Sequence, residues 1–247
     1  VGAAGVGSSE EREMVQSVLH KAFHNTHVYV HHDAYIAQYG AFGGGAGVIV
    51  TSGTGSIAYG RNADGEEARA GGWGWLLGDE GSGWWIAREA VRCALAQWEG
   101  SGPTTGITDL LIEHFQVADA YQLVPAIYSE TISRDDLTTL GQQLADLARE
   151  GDEIAAGLYH RAGKELAELA LRTGNKLNIA TDELEVALLG GVGNGALDLL
   201  RPGMTAAWEA ASESEGSDLP SLVEPQMDAV RGAVLWARES IVRRSYA

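Results

Sequence analysis

The feature that most constrains the fold is a pair of short apolar runs separated by a glycine-rich turn. Residues 48–50 (VIV) and 56–60 (SIAYG) are β-branched or aromatic runs, and a Gly-Thr-Gly turn lies between them. This arrangement is typical of a β-hairpin. A second turn at 62–65 (NADG) carries an Asp-Gly pair, and residues 66–70 follow as a third strand. The sequence therefore predicts a three-stranded antiparallel meander.

Helices are predicted for most of the remaining chain. Apolar residues recur at helical spacing at 10–23, 34–42, 82–98, 105–116, 118–128, 135–149, 152–173 and 227–242. Short strands are predicted at 27–30 and 184–189, and the acidic run 212–219 is predicted to be an exposed loop. Because strands and helices are mixed, with glycine-rich turns directly after strands, the pattern indicates an α/β fold with ligand loops at strand ends.

The charge balance excludes some classes of partner. The chain has 34 Asp and Glu residues against 17 Lys and Arg residues, a formal net charge of −17. Such a surface repels nucleic acid and anionic membranes, so neither is an expected partner. It also resembles the surface of halophile proteins, in which many carboxylates keep the chain hydrated in salt.

Cysteine content and hydropathy indicate a compartment. Cys93 is the one cysteine and cannot form an internal disulfide, so a reducing compartment is expected. We expect Cys93 to be a small buried residue of a helix. No apolar run approaches the roughly 18 residues that span a bilayer, and no signal-like leader opens the chain, so a cytoplasmic protein is expected.

Two glycine-rich turns have the features of nucleotide-binding loops. In SGTGS (52–56), glycines allow a tight turn with inward-pointing N–H groups, and the Thr and Ser residues add hydroxyl donors. In LLGGVGNG (188–195), a strand runs into two glycines and then a helix near Gly195, which leaves room for a flat ligand such as adenine. The alternatives are an ordinary hairpin turn for the first and a packing turn for the second.

The stretch HHD (31–33) places a carboxylate at a predicted strand-to-helix junction. Asp33 suits a general base toward a hydroxyl or, alternatively, the N-cap of the helix at 34–42. His31 and His32 are neighbours on a strand, so their side chains should point to opposite faces and not serve one metal site. We therefore predict no metal-ligating residues.

The run GGWGWLLGDEGSGWW (71–85) combines glycines, tryptophans and an acidic pair. Gly72 and Gly74 allow the backbone to approach a ligand, the indole of Trp73 can pack against a sugar, and Asp79 can accept hydrogen bonds from hydroxyls. The alternative is an aromatic-filled loop in which Asp79 only caps the next helix. The other tryptophans of the run, Trp75, Trp84 and Trp85, are expected to pack.

The order of these motifs resembles that of a known family. HHD, VIVTSGTGS, GGWGWLLGDEGSGWW, LLGGVGNG and MDAVRGAVLWA follow one another as in the N-acetylglucosamine kinases and the wider BadF/BadG/BcrA/BcrD-type ATPases. The resemblance implies the α/β, ribonuclease H-like fold of the actin/hexokinase/Hsp70 superfamily, with two lobes. Residues 1–42 would be a remnant of the N-terminal lobe, with a C-terminal helix at 227–247 packing on it, and 43–226 would be the C-terminal lobe.

The resemblance also implies a reaction, the phosphorylation of N-acetylglucosamine or glucosamine by ATP, with Mg²⁺ held largely through water. It implies a catalytic base (Asp33), a phosphate loop (Gly53, Thr54, Gly55 and Ser56), an adenosine loop (Gly190 and Gly191) and a sugar site (Gly72, Trp73, Gly74 and Asp79). A homodimer is common among such proteins.

The chain departs from the family pattern at its start. The family opens with a strand and a DGGGT-like first phosphate loop, whereas VGAAGVG (1–7) matches a strand that the family places after that loop. The first lobe is therefore expected to be incomplete and this chain alone inactive. Two other functions stay open. One is an ATPase that activates a partner enzyme through an iron–sulfur cluster, which Cys93 alone fits poorly. The other is a sugar-binding regulatory module without catalysis.

Overall fold

The computed structural model describes residues 1–24 and 26–245. Within this part of the chain the strands are β1 (Gly2–Ala3), β2 (His31–His32), β3 (Gly47–Ser52), β4 (Ser56–Arg61), β5 (Glu67–Gly71), β6 (Glu185–Leu189) and β7 (Ser221–Leu222). The α-helices are α1 (Ser9–Ala22), α2 (Asp33–Ala41), α3 (Gly83–Glu99), α4 (Gly106–Phe115), α5 (Leu123–Tyr128), α6 (Arg134–Thr138), α7 (Gly141–Arg149), α8 (Glu153–Lys176), α9 (Gly191–Gly195), α10 (Leu197–Glu215) and α11 (Ala229–Ser245). None of the described helices is both long and apolar enough to cross a bilayer.

The centre of the fold is a five-stranded sheet in the order β5-β4-β3-β6-β7. Strands β3, β4 and β5 pair antiparallel, which confirms the predicted meander. Strand β6 runs parallel to β3, with Thr51 opposite Leu189, and β7 runs parallel to β6. Because β3 and β6 end at the same edge of the sheet, the turns that follow them, at Gly53 and Gly190, are neighbours in space.

Helices cover both faces of this sheet. Val48 and Val50 of β3 belong to a large core that the helices α3 to α8 and α10 complete, whereas Ile49 belongs to a smaller core with α2. Successive side chains of a strand point to opposite faces, so a strand that is buried on both faces reads as a continuous apolar run. This explains why residues 48–50 carry no polar side chain.

Helices α8 and α10 cross at two glycines. A Cβ atom added at Gly163 would lie 2.1 Å from the carbonyl oxygen of Leu200, and one added at Gly203 would lie 1.9 Å from that of His160. The two backbones therefore contact each other directly, which only glycine allows. This close crossing fixes α10, and with it the short helix α9 and the turn at Gly190.

Helix α11 packs on α2. A Cβ atom at Gly232 would lie 2.4 Å from the carbonyl oxygen of Ile36, and the hydroxyl of Tyr39 donates to the Glu239 carboxylate. The last two residues of the predicted 227–247 helix lie outside the described residues. Since α2 also packs on the central sheet, the division of the chain into lobes at residue 42 stays a prediction.

The N-terminal segment forms a small, separate layer. Strands β1 and β2 pair in parallel, with Gly2 opposite His31, and α1 starts at a capping box. The strand predicted at 27–30 is displaced, because the paired residues are His31 and His32. The predicted apolar face of α1 is only partly used, since Val15 and Leu19 contact a small core while Met14 is exposed.

Three predicted segments have different bounds in the structure. The segment 118–128 begins with a 3₁₀ turn at Ala120–Gln122, so its regular helix starts only at Leu123. The segment 135–149 is interrupted between α6 and α7, after Thr138. The loop predicted at 212–219 is wrong for its first four residues, because α10 continues until Gly216 adopts the left-handed conformation.

Candidate active site

The SGTGS turn between β3 and β4 is held against the turn that precedes α3. The hydroxyl of Ser52 donates to the carbonyl oxygen of Gly81, and the hydroxyl of Ser56 donates to that of Glu80, both at 2.7 Å. The amide of Gly83 donates to the carbonyl oxygen of Gly53 at 2.8 Å. These bonds join two motifs that lie about 25 residues apart in the chain into one rigid unit.

Asp79 is at the centre of this unit. Its side chain is buried, and its carboxylate accepts a hydrogen bond of 3.1 Å from the Ser56 amide. A Cβ atom at Gly55 would lie 2.9 Å from both carboxylate oxygens, so the motif requires glycine there. The alternative in which Asp79 caps α3 is wrong, because the Ser82 hydroxyl accepts from the Trp85 amide and serves as the cap.

The tip of the turn keeps hydrogen-bond donors available. Within residues 1–24 and 26–245, the amides of Thr54 and Gly55 and the exposed hydroxyl of Thr54 donate to no other group. The Gly53 amide donates to Gly55, and both donors of Ser56 are engaged with the 79–80 segment. The structure therefore corrects the expectation that Ser56 adds a free hydroxyl, since the open donors are those of Thr54 and Gly55.

The turn after β6 lies against the same hairpin. Gly190 has a φ of 96°, and a Cβ atom there would lie 2.3 Å from the carbonyl oxygen of Ser52. Glycine is thus required at Gly190 both for its backbone conformation and for the close approach. Gly191 has open space beside it, so it can face a ligand.

A cavity of about 380 Å³ lies between this turn, the SGTGS hairpin and the α6–α7 break. We call it the first cavity, and its lining includes Gly53, Thr54, Gly191, Val192 and Gly195. Helices α6, α7 and α8 add Thr138, Gly141, Gln142, Ala145 and Tyr159. Sequence reasoning missed this second set, because the region was predicted as one uninterrupted helix and a break carries no glycine-rich motif comparable to SGTGS.

Asp33 reaches a different cavity. It is the first residue of α2 and is exposed, and its Oδ1 atom accepts from the Ala34 amide at 2.9 Å. The N-cap of α2 is His32, whose Nδ1 atom accepts from the Tyr35 amide at 3.0 Å. The alternative that Asp33 is the N-cap is therefore wrong by one position, and its Oδ2 atom has no partner among the described residues.

A cleft of about 500 Å³, which we call the second cavity, joins Asp33 to the other predicted groups. Its lining includes Asp33, Gly55, Ser56, Gly72, Gly74 and Asp79. Trp73 is 61% exposed and is not part of this lining, and its ring lies under the guanidinium of Arg69 at 5.1 Å. The role of Trp73 toward a sugar stays a prediction. The first cavity is lined by Gly53 and Thr54, and the second cavity is lined by Gly55 and Ser56. One hairpin therefore separates the two cavities.

The other aromatic residues of the 71–85 run divide between core and surface. Trp84 and Trp85 are buried, as expected. Trp75 is 46% exposed and contacts Trp84 edge-on, with ring centroids 5.8 Å apart, so it packs only in part. Cys93 is only half-buried in α3, where it packs against the large core, so the expected burial is met in part; burial raises the pKa of its thiol.

His31 and His32 lie close together, contrary to expectation. Their rings are 4.5 Å apart, and ligand atoms of both and of Glu67 lie within 4.8 Å of one another. The opposite-face rule fails because β2 ends at His32, where the chain turns into α2. Nδ1 of His31 accepts from the His32 amide, and Nδ1 of His32 accepts from the Tyr35 amide. Nε2 of His31 lies 3.5 Å from Nη1 of Arg12, a group that only donates. A metal ion bound through Nδ1 of either ring would have to displace the amide bond there.

Comparisons with known proteins find kinases of amino sugars among the relatives of this chain. The chain is 29% identical over 194 residues to an N-acetylmuramic acid/N-acetylglucosamine kinase of Clostridium acetobutylicum, covering 78% of this chain and 63% of the relative. It is 32% identical over 186 residues to an N-acetyl-D-glucosamine kinase of Dictyostelium discoideum, covering 74% and 58%. The chain thus spans about three fifths of the length of these curated relatives.

A solved structure shows the same architecture. A protein of Chromobacterium violaceum assigned as an N-acetylglucosamine kinase superposes with a TM-score of 0.71 at 28% identity, covering 92% of this chain and 72% of that one. The fold is therefore of the actin/hexokinase type, as predicted. The model of the BadF/BadG/BcrA/BcrD ATPase family matches residues 1–237, and the chain therefore belongs to that family.

Proposed function

We propose that the protein is an ATP-dependent kinase that phosphorylates an amino sugar, N-acetylglucosamine or glucosamine. The observation that carries this proposal is the position of the SGTGS hairpin between two cavities. Its open donors, at Thr54 and Gly55, lie where a phosphoryl group would pass from a nucleotide in the first cavity to an acceptor in the second. The names of the relatives, all kinases of amino sugars, support the class of acceptor.

In this proposal the nucleotide occupies the first cavity. The amides of Thr54 and Gly55 and the Thr54 hydroxyl donate to phosphate oxygens, while the turn at Gly190 and Gly191 lies beside the adenosine. Gly53 and Ser56 keep the hairpin in place through their own hydrogen bonds. Positioning and charge stabilisation of this kind are the main work of a phosphoryl-transfer enzyme.

The sugar occupies the second cavity in the same proposal. Gly72 and Gly74 present backbone to the ring, Asp79 accepts from sugar hydroxyls with the carboxylate oxygen that Ser56 does not use, and Trp73 completes the site on its exposed side. Asp33 accepts the proton of the C6 hydroxyl on Oδ2, because Oδ1 already accepts from the Ala34 amide.

Mg²⁺ is the cation that such a reaction requires. It prefers oxygen ligands and retains several waters. The exposed oxygens beside the hairpin are the Asp33 carboxylate and the Thr54 hydroxyl, whereas the Asp79 carboxylate is buried and one of its oxygens accepts from the Ser56 amide. This donor set fits an ion held mainly by phosphates and water, which would neutralise phosphate charge.

The test is an ADP-release assay on the longest native form of the protein, with N-acetylglucosamine and glucosamine as acceptors. Asp33→Asn should lower turnover by about two to four orders of magnitude, the usual contribution of a general base. Sugar affinity, measured by calorimetry, should change little. Asp64→Asn, in the exposed turn between β4 and β5, is the matched control and should keep wild-type turnover.

Two outcomes would redirect the proposal. Near-normal turnover in Asp33→Asn would remove the base assignment. Sugar binding without ADP release in the native protein would favour the regulatory module. The alternative function, an ATPase that activates a partner enzyme through an iron–sulfur cluster, would need iron and sulfide in the purified protein. Cys93, a single half-buried cysteine, gives that function no support.

A further inference from the structure

The first cavity contains a single side-chain amide, that of Gln142. The other side-chain polar groups of its described lining are hydroxyls, at Thr54, Thr138 and Tyr159. The Tyr159 hydroxyl is not available as a donor, because it donates to the carbonyl oxygen of Gly141 at 2.6 Å. A ligand base in this cavity would therefore meet Gln142 as the one lining side chain that offers either a carbonyl oxygen or an NH₂ group.

The orientation of the Gln142 amide is fixed by Asp146. The Nε2 atom of Gln142 lies 2.8 Å from Oδ1 of Asp146, one helical turn further along α7. A carboxylate only accepts hydrogen bonds, so the NH₂ group must face Asp146 and the carbonyl oxygen must face away.

Asp146 is itself held in place. Its Oδ1 atom accepts from Nη1 of Arg149 at 3.2 Å, and Arg149 also donates to Asp198 and to the carbonyl oxygen of Gly195. This network links α7 to α9 and α10. It therefore fixes the two walls between which the amide lies.

The carbonyl oxygen of Gln142 faces across the cavity. It lies 3.9 Å from the position of a Cβ atom at Gly195, which lines the opposite wall. Within the described residues this oxygen accepts no hydrogen bond. The cavity thus presents a fixed acceptor, and not a donor, at this point.

We propose that Gln142 reads the base of the bound nucleotide and selects adenine over guanine, which rests on the nucleotide role proposed above for the first cavity. Adenine carries a donor, its exocyclic amino group, where guanine carries a carbonyl acceptor. The fixed carbonyl oxygen of Gln142 attracts the amino group of adenine and repels the carbonyl oxygen of guanine. Because Gln142 is exposed, the preference is modest, about tenfold in affinity, as for one hydrogen bond.

The experiment is a competition of ADP and GDP against a fluorescent ADP analogue, with the affinity ratio as the readout. The wild-type protein should prefer ADP by about tenfold, and Gln142→Ala should bring the ratio close to one by weakening ADP and by removing the repulsion of GDP. Asp146→Asn should also reduce the ratio, because an amide at 146 lets Gln142 turn its NH₂ group toward the base. Gln143→Ala, at the exposed neighbour outside the cavity, should keep the wild-type ratio.

The outcomes separate this inference from the function on which it rests. Equal affinity of the wild-type protein for ADP and GDP overturns the inference and leaves the nucleotide site intact. A Gln142→Ala variant that weakens both nucleotides equally also overturns it, because it makes Gln142 a ribose or phosphate contact. Failure of both nucleotides to bind the wild-type protein overturns the proposed nucleotide site itself.

Discussion

Asp79 has a backbone conformation that is uncommon for a residue with a side chain, with a φ of 62°. The sequence placed it among ligand groups because it lies between glycines, and the structure does bring it to the second cavity. Its bond to the Ser56 amide could not be predicted, because that partner is 23 residues earlier and comes close only when the hairpin packs on the turn before α3. The alternative in which Asp79 caps α3 failed for a local reason, since Ser82 is the cap.

The burial of the His31 ring is a second feature at the residue scale that the sequence pattern did not predict. Its ring stacks on Tyr35 at 3.8 Å and is largely buried, and burial lowers its pKa from 6.5 to about 4. The charges of Arg12 and Arg61, and His32 beside it, act in the same direction. Glu67 lies 3.9 Å from Nε2 but does not outweigh them.

The lowered pKa of His31 predicts a pH dependence of stability. Between pH 6.5 and pH 4 the unfolded chain binds a proton at this ring and the folded chain does not, so unfolding is favoured as the pH falls and the loss ends near pH 4. The loss amounts to about 3 kcal/mol at most. Urea unfolding of His31→Gln across this range should show a shallower decline than wild type.

The control for this prediction is an exposed histidine. His20→Gln, on the outer side of α1, should keep the wild-type slope. An equal slope in His31→Gln and wild type would mean that the ring is not buried as a neutral group in solution.

At the scale of elements, hydropathy periodicity was sufficient where helices are long and buried on one side. Helices α3 and α8 were predicted within three residues of their observed ends, and the meander and the strand at 184–189 were confirmed, whereas the parallel pairing of β6 with β3 was not predicted. Hydropathy periodicity failed where a contact between short segments decides where an element begins or ends. The two-residue strand β2 exists only through its pairing with β1, and the α6–α7 break leaves no periodic signal.

The glycine crossing of α8 and α10 supports a prediction at this scale. Gly203→Ala would place a Cβ atom against the carbonyl oxygen of His160, so the helices must separate and part of the large core is lost. We expect a loss of about 2–4 kcal/mol in the free energy of unfolding, as for overpacked or disrupted core sites. Chemical denaturation measures it directly.

Gly157, also on α8, gives the matched control. A Cβ atom there meets nothing within 4 Å, so Gly157→Ala should be stabilising by up to about 1 kcal/mol through helix propensity. Equal effects of the two substitutions would contradict the direct backbone contact between α8 and α10.

At the scale of the whole molecule, the resemblance of the motif order to a family led to the prediction of nucleotide and sugar groups, and the parallel strands β3 and β6 do bring the turns that follow them to one edge of the sheet. What the sequence did not predict is that the hairpin forms a wall between two cavities. That arrangement depends on α6, α7 and α8, whose contribution to the first cavity comes from packing and not from a motif. The second cavity depends equally on α2, which brings Asp33 to the hairpin from the opposite face of the sheet.

The net charge of −17 supports a prediction for the whole chain. Acidic residues outnumber basic ones two to one, so at least half of the carboxylates have no Lys or Arg to pair with, and they repel one another in the folded state. Salt shortens the range of this repulsion, to about 8 Å near physiological ionic strength and about 3 Å at 1 M. The urea midpoint should therefore rise as KCl increases from low to molar concentration. An NaCl series at equal ionic strength separates general screening from an effect of K⁺, and a midpoint that stays flat or falls in both salts would show that carboxylate repulsion does not limit stability.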